Sequence, residues 1–395
     1  QALTTLGSNY MAWENTQECA EEIGAVGYNY AEFLYNKHHE QFPHWIIYGS
    51  ETCSTVQSRG IYRFPLRQSV LSDDDMQTSS LGNSTTSWGA KSIDDCIKDD
   101  RDTPFSLGQF VWTGQDYLGE PTPYHTKNSY FGMLDTAGFK KDGFYMFQSA
   151  WADPKQPVLH LFPYWDFNEG QEIDVRVCSN QHSVALYIND QLVGKQETGT
   201  EITRNWVLPY QKGRLRADAF DKNGQLTASV ERFSFGEASQ LALTYEHLDE
   251  LTFVSMTALD DQGLPVENAN RLVRVTVKGA ALLGLDNGDA SDYTPYQHHE
   301  RRLFSGKLLA VVKPVAGKEW TLEAAFVDED NPVRRVNLTK EGYHVRANLL
   351  PENAAKQPLV WRLTNAAGVD SNIAQMQVDE DGQGVTVIPS GDGEV

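Results

Sequence analysis

The sequence predicts a mixed α/β region followed by three all-strand modules, and three observations carry that prediction. Strand-like and helix-like segments alternate from the start to about residue 153, which is the pattern of a parallel sheet with helical crossovers. From Pro154 onward the texture changes to short strands of period two separated by turn residues, and successive modules of roughly 65 to 95 residues fit small two-sheet sandwiches. Within the first region, the run Trp45-Ile46-Ile47-Tyr48-Gly49-Ser50-Glu51 ends an apolar strand on a lone carboxylate. Bounded by Pro43 and by Gly49-Ser50, it reads as a strand buried on both faces. In barrels of alternating strands and helices, the strand C-terminal ends carry the chemistry.

Taken in order, Ala2 to Leu6 reads as a first strand, Trp13 to Ile23 as a helix, and Ala25 to Tyr30 as a strand. Ala31 to Glu40 reads as a helix whose apolar residues are Phe33, Leu34 and Tyr35. After the Glu51 strand, the polar stretch Ser69 to Thr86 predicts a surface loop, and Trp88 to Lys98 a helix. Phe105 to Trp112 is the next buried strand, Thr113 to Asn128 its loop, and Asp142 to Trp151 a closing helix. Beyond Pro154, Ile173 to Val177 and Val184 to Ile188 alternate at period two, with turn chemistry at Asn189-Asp190 and Gly194. A second such region starts near Leu241 and a third near Val333.

Composition excludes several classes. Acidic residues outnumber basic ones 54 to 33, for a formal charge of −21, which argues against nucleic acid or an anionic membrane surface as partner. No apolar run approaches the roughly 20 residues of a membrane-spanning helix. Cys19, Cys53, Cys96 and Cys178 lack paired zinc or redox spacing and read as free thiols. Cys53 as a nucleophile would need a basic partner that the sequence does not identify.

The ordered motifs resemble one family. Gly27-Tyr28-Asn29-Tyr30-Ala31-Glu32, Ile46-Ile47-Tyr48-Gly49-Ser50-Glu51 and Gly108-Gln109-Phe110-Val111-Trp112-Thr113-Gly114, followed by Asp116-Tyr117-Leu118-Gly119-Glu120-Pro121, resemble consecutive late barrel strands of glycoside hydrolase family 2, β-galactosidase type. Ser129-Tyr130-Phe131-Gly132, Asp135 to Phe139 and Gln148 to Trp151 are similar to its closing barrel segment. His160 to Trp165 and Gly284 to Asp289 are similar to its accessory sandwiches.

The resemblance implies the C-terminal half of a (β/α)8 TIM barrel over residues 1–153. Three immunoglobulin-like β-sandwich domains follow it over 154–236, 237–331 and 332–395, the last short of at least one strand. It implies a retaining glycosidase acting on β-galactosides, with two carboxylates about 5–5.5 Å apart, and no cofactor. Glu51 matches the nucleophile and Tyr30 the tyrosine that orients it. Asn29 and Tyr30 adjoin here, where the family often has one residue between them, and this leaves Tyr28 and Tyr35 open for that role. Trp112 matches the sugar platform, since sugar C–H faces pack on aromatic rings. Asn29 is assigned with it to substrate binding, as are Asp116, Glu120, His125 and Asn128 of the loop region after the Trp112 strand. Lys127 shares that loop. The acid/base residue is the Glu of an Asn-Glu pair upstream of everything present here. The sequence's one such pair, Asn168-Glu169, lies after the barrel region and reads as solvated surface. The chain is therefore expected to be a C-terminal part that is inactive alone.

Other features carry less. The neighbours in His38-His39 or His298-His299, if helical, point about 100° apart and do not share one ion. The runs Asp73-Asp74-Asp75 and Asp328-Glu329-Asp330 lack calcium-loop spacing, and Asn83 and Asn337 fit a glycosylation pattern that arises often by chance. The expected partner is a glycoside or oligosaccharide, with the sandwiches offering surfaces for an oligomer. The competing reading is a carbohydrate-binding or interaction module with a vestigial barrel, using Trp165, Trp206, Trp320 and Trp361.

Overall fold

The computed structural model describes residues 4–66, 77–81, 91–122, 126–327, 332–352, 354, 359–365 and 370–393. Its first region is built on four parallel strands in sequential order, β1 (Leu6–Ser8), β2 (Ala25–Asn29), β3 (Ile46–Cys53) and β4 (Ser106–Trp112). Parallel neighbours need crossovers. These are α1 (Glu14–Ile23), then a 3₁₀ turn Glu32–Leu34 running into α2 (Tyr35–Gln41), then α3 (Ile93–Arg101). Two short strands, β5 (Gly119–Thr122) and β6 (Asn128–Ser129), and the helix α4 (Asp142–Trp151) complete the region.

Local chemistry fixes the helix ends. Gly24, in the left-handed conformation at φ 76°, ends α1 and donates its N–H to the Ala20 carbonyl. Ser92 caps α3 by accepting from the Asp95 N–H, with Asp94 and Asp95 in the first turn and Lys98 and Arg101 in the last. This cap explains why α3 starts later than the helix expected from Trp88. Residues 88–90 lie outside the described set, as do Asp73 to Asp75, Asn83 and Asp328 to Asp330.

Two expectations need correction. The strand carrying Glu51 is not buried on both faces. Ile47 is fully buried among Val26, Tyr28, Met11, Ala20 and Trp45, whereas Ile46 on the alternate face is exposed, as are Leu107 and Phe110 of β4. Of the stretch expected to be a surface loop, the described part, Gln77 to Leu81, runs inward, and Thr78, Ser79 and Ser80 are fully buried. Two of its polar groups find partners inside: the Thr78 hydroxyl donates to the Val56 carbonyl at 3.1 Å, and the Ser80 N–H to the Ile61 carbonyl at 2.6 Å.

Among the described residues, the regular elements that follow are all strands. β7 (Leu159–Phe162), β8 (Glu172–Ser179), β9 (Ser183–Ile188), β10 (Gln191–Glu197), β11 (Thr203–Pro209), β12 (Arg214–Phe220) and β13 (Leu226–Phe233) form sheets of order β10-β9-β12-β13 and β11-β8-β7. Asn189 and Asp190, both at positive φ, make a two-residue hairpin turn between β9 and β10. β8 and β9, adjacent in sequence, belong to different sheets.

β14 (Gln240–Leu248), β15 (Leu251–Leu259), β16 (Leu272–Lys278), β17 (Ala280–Asp286), β18 (Glu300–Arg302), β19 (Lys307–Pro314) and β20 (Thr321–Phe326) repeat the four-plus-three arrangement, as β14-β15-β19-β17 and β18-β16-β20. Strict alternation in β15 buries Val254, Met256 and Ala258 against Val273 and Val275 of the other sheet. Finally β21 (Arg335–Glu341), β22 (His344–Leu350), β23 (Ala374–Val378) and β24 (Gly384–Pro389) form a single sheet of order β21-β22-β24-β23.

The chain divides into two compact units, one of Gln1–Pro163, Asp174–Val207 and Arg214–Arg232, the other of Tyr164–Ile173, Leu208–Gly213 and Phe233–Val395. Among the described residues no helix is long and apolar enough to cross a membrane. Met256, fully buried in the core of the second unit, is expected on replacement by alanine to cost about 2–5 kcal/mol, measurable as a lower urea midpoint for unfolding.

Candidate active site

The C-terminal ends of β2, β3 and β4 bring Tyr30, Glu51 and Trp112 to one edge of the parallel sheet. The Tyr30 hydroxyl donates to Glu51 Oε2 at 3.0 Å, and the Tyr30 N–H donates to the Glu51 carbonyl at 2.9 Å. Side chain and backbone therefore fix the pair together. The alternatives Tyr28 and Tyr35 are both buried, Tyr28 with its hydroxyl 2.9 Å from His38 Nδ1 and Tyr35 packed edge-on against it. Burial first, then the Glu51 charge, raise the pKa of Tyr30, so its hydroxyl stays a donor across the neutral range.

Glu51 reaches this position through a bulge. Tyr28 pairs with Gly49 and Asn29 pairs with Glu51, so Ser50 is the extra residue on β3. The Ser50 hydroxyl donates to Asn29 Oδ1 at 2.5 Å. Its side chain fits because β1 and β2 carry glycine there. A Cβ on Gly27 would lie 2.6 Å from the Ser50 side chain, and one on Gly7 3.0 Å from its hydroxyl. Tyr30, Cys53 and Ser54 all adopt positive φ, a strained state for non-glycine residues that clusters at functional sites. Cys53 itself is fully buried with Sγ 3.0 Å from the Thr55 hydroxyl, and all four cysteines are free.

Trp112 pairs with Cys53 in register and stands edge-on to Tyr117, centroids 5.8 Å apart. Both rings line an open, largely apolar cavity of about 1130 Å³ that continues to Gln115, Phe147 and Trp151. Tyr117, its pKa pushed up to about 12 chiefly by burial, donates to exposed Glu120.

Two expected substrate contacts do not face a ligand. Asp116 is buried, its Oδ1 accepting from Lys141 Nζ at 2.8 Å and from the Gly132 N–H at 2.7 Å. Asn128 is fully buried and donates to the Ser129 carbonyl. Loop position alone does not set side-chain direction, and here both side chains turn inward. His125 lies outside the described residues.

Sequence reasoning missed Lys141, which spends all three ammonium protons inside, on Asp116 and on the carbonyls of Gln57 and Tyr130. Beside it Arg59 Nε donates to Asp135 Oδ2 at 2.6 Å. A lysine just before a predicted helix gives no sign of such burial.

Other residues weighed in sequence are structural. His38 is buried and His39 stacks on Phe105. Trp165 is fully buried with its indole N–H on the Gln211 carbonyl, Trp320 packs against the core of the second unit, and the Trp361 indole donates to Gly382. Glu169 is exposed in a turn.

Comparison with known proteins identifies relatives of this chain. Residues 242–326 match the family model described as glycoside hydrolase family 2 C-terminal domain 5, and residues 170–228 a domain of unknown function, DUF4982. The β-galactosidase BoGH2A of Bacteroides ovatus is 33% identical over 74% of this chain and 36% of its own length. The chain belongs to glycoside hydrolase family 2. A putative β-glucuronidase of Formosa agariphila is 32% identical over 68% of the chain and 27% of its own length. The chain thus spans roughly a third of the length of these curated relatives or less. In fold it is similar to a β-glycosidase from Bacteroides vulgatus, with TM-score 0.70 and 23% identity over 82% of this chain and 49% of that one.

Removing the Lys141 ammonium leaves a buried carboxylate unpaired. Lys141→Met is expected to cost about 3–5 kcal/mol at neutral pH. Burial raises the Asp116 pKa and Lys141 opposes that rise, so in the variant the folded chain holds a proton that the unfolded chain has released. The stability of the variant therefore falls as pH rises above the usual carboxylate range. Urea midpoints should differ more from those of the wild type at pH 8 than at pH 5.

Proposed function

We propose that this chain supplies the nucleophile and sugar platform of a retaining glycoside hydrolase acting on terminal β-galactosides. In this reading residues 1–153 are the C-terminal half of a (β/α)8 barrel, and 154–236, 237–331 and 332–395 are accessory sandwiches. The observation that carries it is the 3.0 Å hydrogen bond from Tyr30 to Glu51 at the C-terminal edge of a parallel sheet. A carboxylate there, gripped through one oxygen by a neutral donor, has its other oxygen free to attack.

The chemistry runs in two displacements. Glu51 attacks the anomeric carbon while the bond to the leaving oxygen breaks, and a second carboxylic acid protonates that oxygen. A glycosyl ester on Glu51 results. The second group, now a base, takes a proton from water, which attacks the same carbon and releases Glu51. Tyr30 holds the Glu51 carboxylate in one orientation throughout, and Trp112 offers a ring face to the sugar. The acid/base role is assigned to no carboxylate of this chain, since Glu169 of the Asn-Glu pair lies in an exposed turn.

Galactose is preferred because BoGH2A is named a β-galactosidase, and the β-glucuronidase relative makes glucuronide the competing sugar. The burial and packing of Trp165, Trp320 and Trp361 weigh against a carbohydrate-binding role for the sandwiches.

The test uses the full-length protein that contains this chain, with aryl β-galactoside and aryl β-glucuronide as substrates. Glu51→Gln is expected to lower kcat by about 10⁴-fold or more, and Tyr30→Phe by about 10²–10³-fold. A 2-deoxy-2-fluoro galactoside with an activated leaving group should leave its adduct on the peptide bearing Glu51. Normal turnover in Glu51→Gln would sink the assignment, and faster hydrolysis of the glucuronide would replace the sugar.

A further inference from the structure

We propose a second saccharide-binding platform, formed by Tyr10 and Trp13, that holds the leaving-group side of the substrate. It rests on the reading of Glu51 as a glycosidase nucleophile and adds a recognition surface to that site. The two rings stack with centroids 4.5 Å apart and planes 29° from parallel, yet Tyr10 is 54% and Trp13 57% exposed. Single exposed aromatics are ordinary. A stacked pair that keeps its outer surface in water, on a loop held in one conformation, is not.

The loop is held at both ends and in the middle. Tyr10 N–H donates to the Ser8 hydroxyl at 3.0 Å, and Trp13 N–H to the Tyr10 carbonyl at 2.9 Å. Between the two rings, Met11 is fully buried in the core under the sheet, and Gln17 Nε2 donates to its carbonyl at 3.0 Å. The rings are thus fixed before any ligand arrives, which lowers the ordering cost of binding.

Position identifies the ligand. The loop leaves β1 after Ser8, which pairs with Tyr28 one residue before Asn29, at the same end of the sheet as Tyr30 and Glu51. Gly7 on β1 lies so near Ser50 that a Cβ there would sit 3.0 Å from the Ser50 hydroxyl. Ser50 directly precedes Glu51. β1 is two strands from Glu51, roughly 10 Å at normal strand spacing, farther out than the sugar being attacked. That distance suits the next pyranose of an oligosaccharide, whose axial C–H face packs on aromatic rings.

The test titrates the purified full-length protein that contains this chain with cellotetraose, a β-linked chain of equatorially substituted pyranoses, and with methyl β-galactoside, following heat and tryptophan fluorescence. The tetrasaccharide should bind more tightly than the monosaccharide. Trp13→Ala and Tyr10→Ala should each weaken it by about tenfold, with circular dichroism unchanged because both rings are exposed. No binding by the wild type, or equal affinity in Trp13→Ala, overturns the platform and leaves the Glu51 assignment standing. Failure of the glycosidase reading shows separately, as the full-length Glu51→Gln protein turning over an aryl galactoside that carries no second sugar.

Discussion

The slot that accepts the Ser50 side chain is the constraint on which the site depends. It exists because Gly27 and Gly7 place no Cβ beneath Ser50. With the slot filled, Ser50 is the bulged residue, Asn29 comes opposite Glu51, and the Tyr30 backbone closes onto the Glu51 carbonyl. Every later feature follows from that register. A side chain on Gly27 would push Ser50 out, remove its bond to Asn29, and shift Glu51 relative to the tyrosine that holds it. Precision in the carboxylate thus comes from two absent side chains on neighbouring strands, a cheap way to build a rigid site on regular elements.

A second support lies behind the Trp112 loop. Residues 113–116 pair with 131–134 through the Thr113, Asp116, Met133 and Leu134 N–H groups. This short ladder is locked from inside by Lys141 on Asp116 and Arg59 on Asp135. Buried ion pairs contribute little net stability against apolar replacements, but they tolerate few alternative arrangements. Their place under a loop that carries Trp112 and Tyr117 suits a role in fixing ring orientation.

What was legible in the sequence was the order of elements and the strand that carries Glu51. Asp142 to Trp151 forms the helix its pattern predicts, and Tyr30, Glu51 and Trp112 come to one edge because strand ends in a parallel sheet must do so. Side-chain direction was not legible. Asp116 and Asn128 lie in the right segment but turn inward, since the partners that draw them in, Lys141 and the Ser129 carbonyl, are chosen by tertiary packing. The polar run Thr78-Ser79-Ser80 reads as solvent-loving, yet it is buried, with the Thr78 hydroxyl on a backbone carbonyl and the Ser80 hydroxyl on a carboxylate of α4. Composition reports polarity and does not report where the partners are.

Glu51 and Asp116 show how one unit sets two carboxylates to different tasks. Asp116 is buried against an ammonium and a backbone N–H. Such partners hold an acceptor's electron density in place, and a carboxylate so engaged makes a good strut and a poor nucleophile. Glu51 is half-buried, and the donor on its side chain is a neutral phenol whose own ionisation is suppressed by burial and by the Glu51 charge. A neutral donor orients a carboxylate without supplying a full counter-charge, so the second oxygen keeps its reactivity. The distinction between the two residues lies in the charge of the partner, and it favours Glu51 for covalent chemistry more strongly than strand position does.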